Sequence, residues 1–442
     1  MRRRTVLGLS GAVPLAFAAP SLPAQAVARP DLPARSRRWI HTWVSMPQLT
    51  EPGNLPPAPF TGSGSVLVDT TLRQTVHTSI GGPRLRVRFS NAFGGAALPI
   101  TAAAVALPAG GVAGASAIRP GTSRPLTFGG HPSTVVPVGA QVVSDPVEMP
   151  VAPLTNLTVT TYLATGQAGL NLTSHPGSRT TTHLVNGDHH LDTGLTGSAA
   201  VDHWYLLSGV EVAGGDAALV IVGDSLTDGR GSTTNGNDRW PDQLLTRLHA
   251  RSSTAGVAVL NQAAGGNRVL NDGLGPNVLA RLDRDVLALG AVDWMLIFEG
   301  VNDIGTAEAT DAAQRQVVSD LIAAFGQVAI RAQAREIAAY AATITPFGGN
   351  AGYDDPGGLR ERSRQAVNQW IRHSHAFDAV ADFDAAVRDP ADPRRIAPAY
   401  DVGDELHLTP AGYGALAAAV PPNLFTGRSM GHLLPPGPRR PA

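Results

Sequence analysis

The chain of 442 residues contains no cysteine. Disulfides, thiolate metal sites and cysteine nucleophiles are therefore excluded, and any covalent chemistry has to come from oxygen or nitrogen. Charge is sparse: charged residues make up 16% of the chain, and 34 Lys and Arg against 35 Asp and Glu give a formal net charge of -1. The broad basic footprint with which nucleic-acid binders neutralise phosphates is missing, so no nucleic-acid partner is expected. Long apolar runs are missing too. The stretch from Val6 to Ala19 falls short of the ~20 residues that cross a bilayer, and no later stretch reaches that length, so no integral membrane span is expected. There is also no low-complexity tract, because the 49 Gly and 35 Pro are spread along the chain as they are in a globular protein with many turns.

What is present begins with Arg2, Arg3 and Arg4, followed by the apolar stretch and then by Ala24-Gln25-Ala26. This is the pattern of an export signal over residues 1–26, and it predicts a secreted or periplasmic protein. The paired arginines resemble a twin-arginine signal, whose pathway carries folded proteins; a general secretory signal is the alternative. The length suits two compact domains. Over residues 27–213 the chain is rich in Thr, Val and Gly. SVLVDTTLRQTVHTSI, RLRVRFSN and LTNLTVTTYLA alternate apolar with polar side chains, which predicts antiparallel strands and a β-sandwich-like domain.

Over residues 214–425 the pattern changes to short continuous apolar runs: Ala217 to Ser225, Val257 to Gln262, Val292 to Gly300, Ile337 to Thr345 and Ala379 to Phe383. Such runs suit strands covered on both faces. Helical stretches lie between them: one after Asp238, a candidate N-cap, with Trp240, Leu244, Leu245 and Leu248 on one face, then Ala309 to Arg335 and Leu359 to His375. Strands alternating with helices predict an α/β domain with a doubly wound parallel sheet, whose ligands bind beyond the carboxyl ends of the strands. Residues 426–442 are proline-rich and expected to be disordered.

The chemistry-bearing residues fall at those strand ends. The first run closes in Gly223-Asp224-Ser225-Leu226, which places a serine in a sharp turn towards a helix. A serine hydroxyl needs a base to take its proton, and the base needs an acid to hold its tautomer. Asp404 and His407, three residues apart in DELHLTPAGY, can supply both. A metal reading of that pair lacks further ligands at a recognisable spacing. Acyl transfer also needs fixed donors for the developing oxyanion. A glycine N–H from NQAAGGNRVL and the Asn302 amide from EGVND are suitable. Asp224 and Asp303 read as hydrogen-bonding supports for these turns. His183, His189 and His190 read as a surface loop rather than a ligand set, with a domain-edge loop lining the cleft as the alternative.

These blocks resemble the GDSL/SGNH hydrolase family: VGDSLTDG its first, NQAAGGNRVL its second, EGVND its third and DELHLTPAGY its fifth. The resemblance implies a flavodoxin-like three-layer α/β/α hydrolase domain that uses no cofactor and no metal. It makes Ser225 the nucleophile, His407 the base and Asp404 its partner. The oxyanion donors it implies are the Ser225 N–H, the Gly266 N–H and the Asn302 amide, with Gly265 as the alternative to Gly266. WIHTWVSMPQ, TLRQTVHTSIGG and VRFSNAFG resemble the β-domain of a secreted bacterial branch linked to deacetylation of plant polysaccharides such as xylan. The expected function is hydrolysis of short-chain carboxylic esters, especially acetyl on carbohydrate, so the partner is a small-molecule or polysaccharide ester. A lipase or aryl-esterase acting on longer acyl chains is the runner-up. A carbohydrate-binding protein with a silent hydrolase domain is the alternative of another class, against which the intact motifs argue.

Overall fold

The computed structural model describes residues 38–426. The expected export signal, and the expected C-terminal tail beyond Thr426, lie outside the described residues.

The first half is built of antiparallel strands, chiefly β1 (Trp39–Val44), β2 (Thr70–His77), β3 (Gly82–Ser90), β4 (Ala102–Ala106), β5 (Asn156–Leu163), β6 (Thr173–His175), β7 (Thr182–Asn186) and β8 (Leu207–Ala213). One sheet runs in the order β1-β8-β3, with short strands at Gln141–Val143 and Val147–Val151 both pairing with β3. The larger sheet has β7-β2-β5-β4 at its centre. Alternation decides which side faces inward: in β3, Leu85, Val87 and Phe89 are buried while Arg84, Arg86 and Arg88 are not fully enclosed. Those three side chains join Leu72 and Val76 of β2 and Leu157 and Val159 of β5 in one apolar cluster. Burying such side chains stabilises the fold by roughly 1.5–3 kcal/mol each.

The second half changes to parallel pairing at β9 (Ala217–Gly223), followed by α1 (Ser225–Asp228), α2 (Trp240–His249), β10 (Val257–Ala263), β11 (Val292–Phe298), α3 (Val301–Thr306), α4 (Asp311–Gln333), β12 (Ala338–Ala342), α5 (Leu359–His373), β13 (Ala379–Ala381) and α6 (Pro410–Ala419). The sheet order is β10-β9-β11-β12-β13, all parallel. This is the flavodoxin-like arrangement, in which the chain steps to one side of its first strand and then to the other. Right-handed crossovers put the helices of the two directions on opposite faces. Accordingly α2 packs with α6, and α4 with α5. Every residue of β9 is buried, as a strand between two helical layers requires.

The expected helix after Asp238 begins at Trp240, and its N-cap is Arg239, not Asp238. Asp242 accepts the Arg239 backbone N–H at 3.2 Å and its Nε–H at 2.7 Å, while the Asp238 carboxylate accepts the Thr233 N–H at 2.9 Å. A carboxylate inside the first turn outcompeted the one before it. The two halves touch: β1 packs against β10, and Arg284 lies 5.2 Å from the centre of the Phe93 ring.

Candidate active site

Strand order sets the site. β9 is flanked by β10 and β11, so the loops at the carboxyl ends of these three strands converge where the chain reverses direction. Ser225 opens α1 directly after β9. The turn is held by Asp224, whose carboxylate accepts the Leu226 N–H at 2.9 Å and whose carbonyl accepts the Thr227 N–H at 3.0 Å. The Ser225 hydroxyl lies 2.9 Å from His407 Nε2, and His407 Nδ1 lies 2.6 Å from Asp404 Oδ2. Because a carboxylate only accepts, the ring proton belongs on Nδ1, which leaves Nε2 to accept from the serine.

Three residues of separation suffice because the chain turns back between them. Glu405 has a left-handed φ of 60°, and Asp404 Oδ1 accepts the backbone N–H groups of Leu406 and His407 at 3.1 and 2.8 Å. Thr409 then caps α6, with Pro410 at its first position. Burial lowers the affinity of His407 for a second proton, helped by the cations Arg230 and Arg179 and opposed by Asp404. The ring is therefore neutral at neutral pH, the form a base requires. Burial works against the Asp404 carboxylate, but the His407 backbone N–H and ring outweigh it and hold the group below its ordinary value.

The loop after β10 carries Gly265 and Gly266. The Gly265 N–H donates to Asp228 Oδ2 at 2.9 Å, whereas the Gly266 N–H meets no acceptor among the described residues. Gly266 has a left-handed φ of 72°, and a Cβ there would collide with Leu274. The loop after β11 grips its neighbour twice. Asp303 accepts the N–H groups of Val269 and Leu270, both at 2.9 Å, and the Asn302 amide donates to the Asn267 carbonyl at 2.8 Å. Asn302 Oδ1 accepts the Tyr353 hydroxyl at 2.6 Å, which fixes the amide's orientation and leaves its second N–H unassigned. Ser225, Asn302 and His407 are each less than a tenth exposed. Burial comes first in raising Asp224 to about 7 and in raising Asp303 above its ordinary value.

His183, His189 and His190 stand apart from this set. His183 is bonded to Ser198 and to the Gly114 carbonyl, His189 to Asp192 and His190 to Asp188. Among the described residues no group of three or more His, Asp or Glu could hold a metal ion, and no helix is long and apolar enough to cross a membrane. Sequence reasoning missed Tyr353, Asp228 and His175. Asp228 stands one helical turn after Ser225 inside VGDSLTDG and could have been found there. Tyr353 and His175 carry no local signal, because their partners lie 51 and 53 residues away.

Residues 221–415 match the model of the GDSL-like lipase/acylhydrolase family. Among solved structures, a lipolytic protein of the G-D-S-L family from Desulfitobacterium hafniense is 18% identical, with 46% of this chain and 97% of that one covered and a TM-score of 0.34. An acetylxylan esterase from Geobacillus stearothermophilus is 22% identical over 47% of this chain and 93% of that one, with a TM-score of 0.35. A GDSL-like lipase from Bacteroides thetaiotaomicron is 16% identical over 46% and 85%, with a TM-score of 0.33. No curated protein sequence matches the chain significantly.

Proposed function

We propose that the chain is an ester hydrolase, in keeping with the match of residues 221–415 to the GDSL-like lipase/acylhydrolase model, with Ser225 its nucleophile, His407 its base and Asp404 the acid that orients the base. The observation that carries this reading is the unbroken relay from the Ser225 hydroxyl through both nitrogens of His407 to Asp404, at 2.9 and 2.6 Å. In the first step Ser225 Oγ bonds to the ester carbonyl carbon while His407 Nε2 takes the hydroxyl proton. Collapse of the tetrahedral adduct expels the alcohol, which receives that proton, and leaves an acyl group on Ser225. Water then attacks the acyl-enzyme with His407 again as base, releasing the acid and restoring the serine.

The Ser225 N–H, the Gly266 N–H and the second N–H of Asn302 are the proposed donors to the oxyanion. Two are backbone groups and the third is a clamped amide, so none has to reorganise as charge develops. Gly266 is favoured over Gly265 because the Gly265 N–H is already engaged by Asp228.

The proposed substrate is a short acyl ester, with acetyl on carbohydrate as the leading case. Arg179, Arg230 and Asp404 all act electrostatically on His407, so the surroundings of the base are polar and suit a hydroxyl-rich leaving group better than a long hydrocarbon chain. The arginine-led N-terminal segment supports export of the protein. Specificity constants for p-nitrophenyl acetate, longer p-nitrophenyl esters and acetylated xylan test the substrate class. The expected order has the acetyl esters first and a steep fall with chain length. A rise with chain length would replace this reading with a lipase-like one.

A further inference from the structure

The antiparallel half reaches into the site through β6. The His175 ring lies between two oxygen acceptors, with Nδ1 3.1 Å from the Met46 carbonyl and Nε2 2.9 Å from Asp228 Oδ1. It also stacks on Trp204 at 5.7 Å, and the Trp204 indole N–H donates to the Thr75 carbonyl at 2.9 Å, so the ring is held at both nitrogens and on one face. Asp228 ends α1, three residues after Ser225, and its other oxygen accepts the Gly265 N–H. A Cβ on Gly177 would overlap Asp228 Oδ2, so the backbone after His175 closes directly over this carboxylate. His175 and Asp228 side chains are 4% and 2% exposed, which makes them a buried pair that spans both halves of the molecule.

Resting on the oxyanion role proposed for Gly266, we propose that His175 is a positioning residue: through Asp228 it fixes the Gly265-Gly266 loop in the orientation that aims the Gly266 N–H at the developing oxyanion. Asp228 has one oxygen for His175 and one for the loop. Without its partner the buried carboxylate is left uncompensated, and rotation of the group relieves that cost. That rotation removes the acceptor that holds Gly265. The neighbouring Gly266 lacks a side chain to anchor it, so its N–H then swings away from the reacting carbonyl. Misplacement by about 1 Å of a group that positions the reaction costs up to ~100-fold in rate. The effect falls on the transition state, because the oxyanion donors bind the tetrahedral adduct more strongly than the ground-state ester.

The test compares His175→Leu, His175→Gln and the core variant Leu184→Ala in the full chain, with turnover of p-nitrophenyl acetate divided by the concentration of sites that react with a fluorophosphonate. Asp228→Asn serves as the second probe should His175→Leu fail to fold, because an amide cannot accept from both His175 and Gly265. The expected result is a kcat per labelled site lowered ~10- to 100-fold in His175→Leu with KM within about 3-fold of the parent. His175→Gln, which keeps an N–H near Nε2, recovers most of the loss. Leu184→Ala lowers Tm and leaves kcat per site unchanged, as a purely structural loss would. Parent-like kcat per site in His175→Leu, or in Asp228→Asn, overturns the positioning role while leaving the Ser225 reading intact. A parent enzyme whose Ser225 takes no label overturns that reading and this one with it.

Discussion

In the antiparallel half Arg73 is fully enclosed, and its guanidinium spends its donors on the carbonyls of Ser116 and Asp192, at 2.9 and 2.6 Å, while Nε–H reaches Thr160. In the parallel half the enclosed carboxyl groups of Asp224, Asp228 and Asp303 lie next to the site and accept from N–H groups of strand-end loops, while the enclosed Arg281 donates to the Gln262 carbonyl and to Asn267 Oδ1. A buried guanidinium thus ties down loops of the antiparallel half, and buried carboxyl groups tie down loops that carry the proposed nucleophile and its proposed donors. Loops held by some of their N–H groups can keep the next N–H, here that of Gly266, for an oxyanion.

That contrast can be broken by exchanging the two kinds of loss. The largest effect is expected for Asn302→Ala, which removes one donor and one anchor of the loop after β10. Its kcat should fall about 100- to 1000-fold with KM little changed; an unaltered kcat would reduce the loop to scaffolding. Arg73→Leu should do the opposite. It strands several buried carbonyls and should cost on the order of 3 kcal/mol of stability, seen as a lower Tm, with kcat per labelled site preserved. A loss of turnover without a loss of Tm would show that the antiparallel half contributes to catalysis through Arg73 as well.

The smallest effect concerns pH. His407 is held below its ordinary value of 6.5, first by burial and then against Asp404 by Arg230 and Arg179. Since only the neutral ring can serve as the proposed base, kcat/KM should fall as the medium is acidified through that lowered value. Arg230→Gln removes a cation that disfavours the protonated ring, so the acid limb should move to higher pH by a fraction of a unit. The shift should shrink with added salt, because Arg230 is exposed and screened. A limb that moves to lower pH would contradict the sign.

What could be read beforehand follows the same division. The parallel sheet announced itself because strands covered on both faces are continuous apolar runs, and Ser225, Asn302 and His407 stand at or beside the ends of recognisable blocks. The antiparallel half was legible as alternation in β2, β3 and β5, although its strand order depends on pairings between distant segments. Asp238 was misplaced as a cap because Asp242, inside the turn, competes for the same role through Arg239. His175 was unreadable: nothing near it in the chain shows that a residue of a β-domain will face Asp228, since that contact exists only once both halves are folded and docked.

The central claim, that the buried carboxyl groups of the parallel half hold a loop set around one activated serine, is tested most directly by covalent mapping. The native protein is treated with a fluorophosphonate, digested and sequenced by mass spectrometry. The account predicts a single modified residue, Ser225, with label uptake matching loss of ester hydrolysis one for one. Label on any other serine, or full activity after complete modification of Ser225, would contradict it.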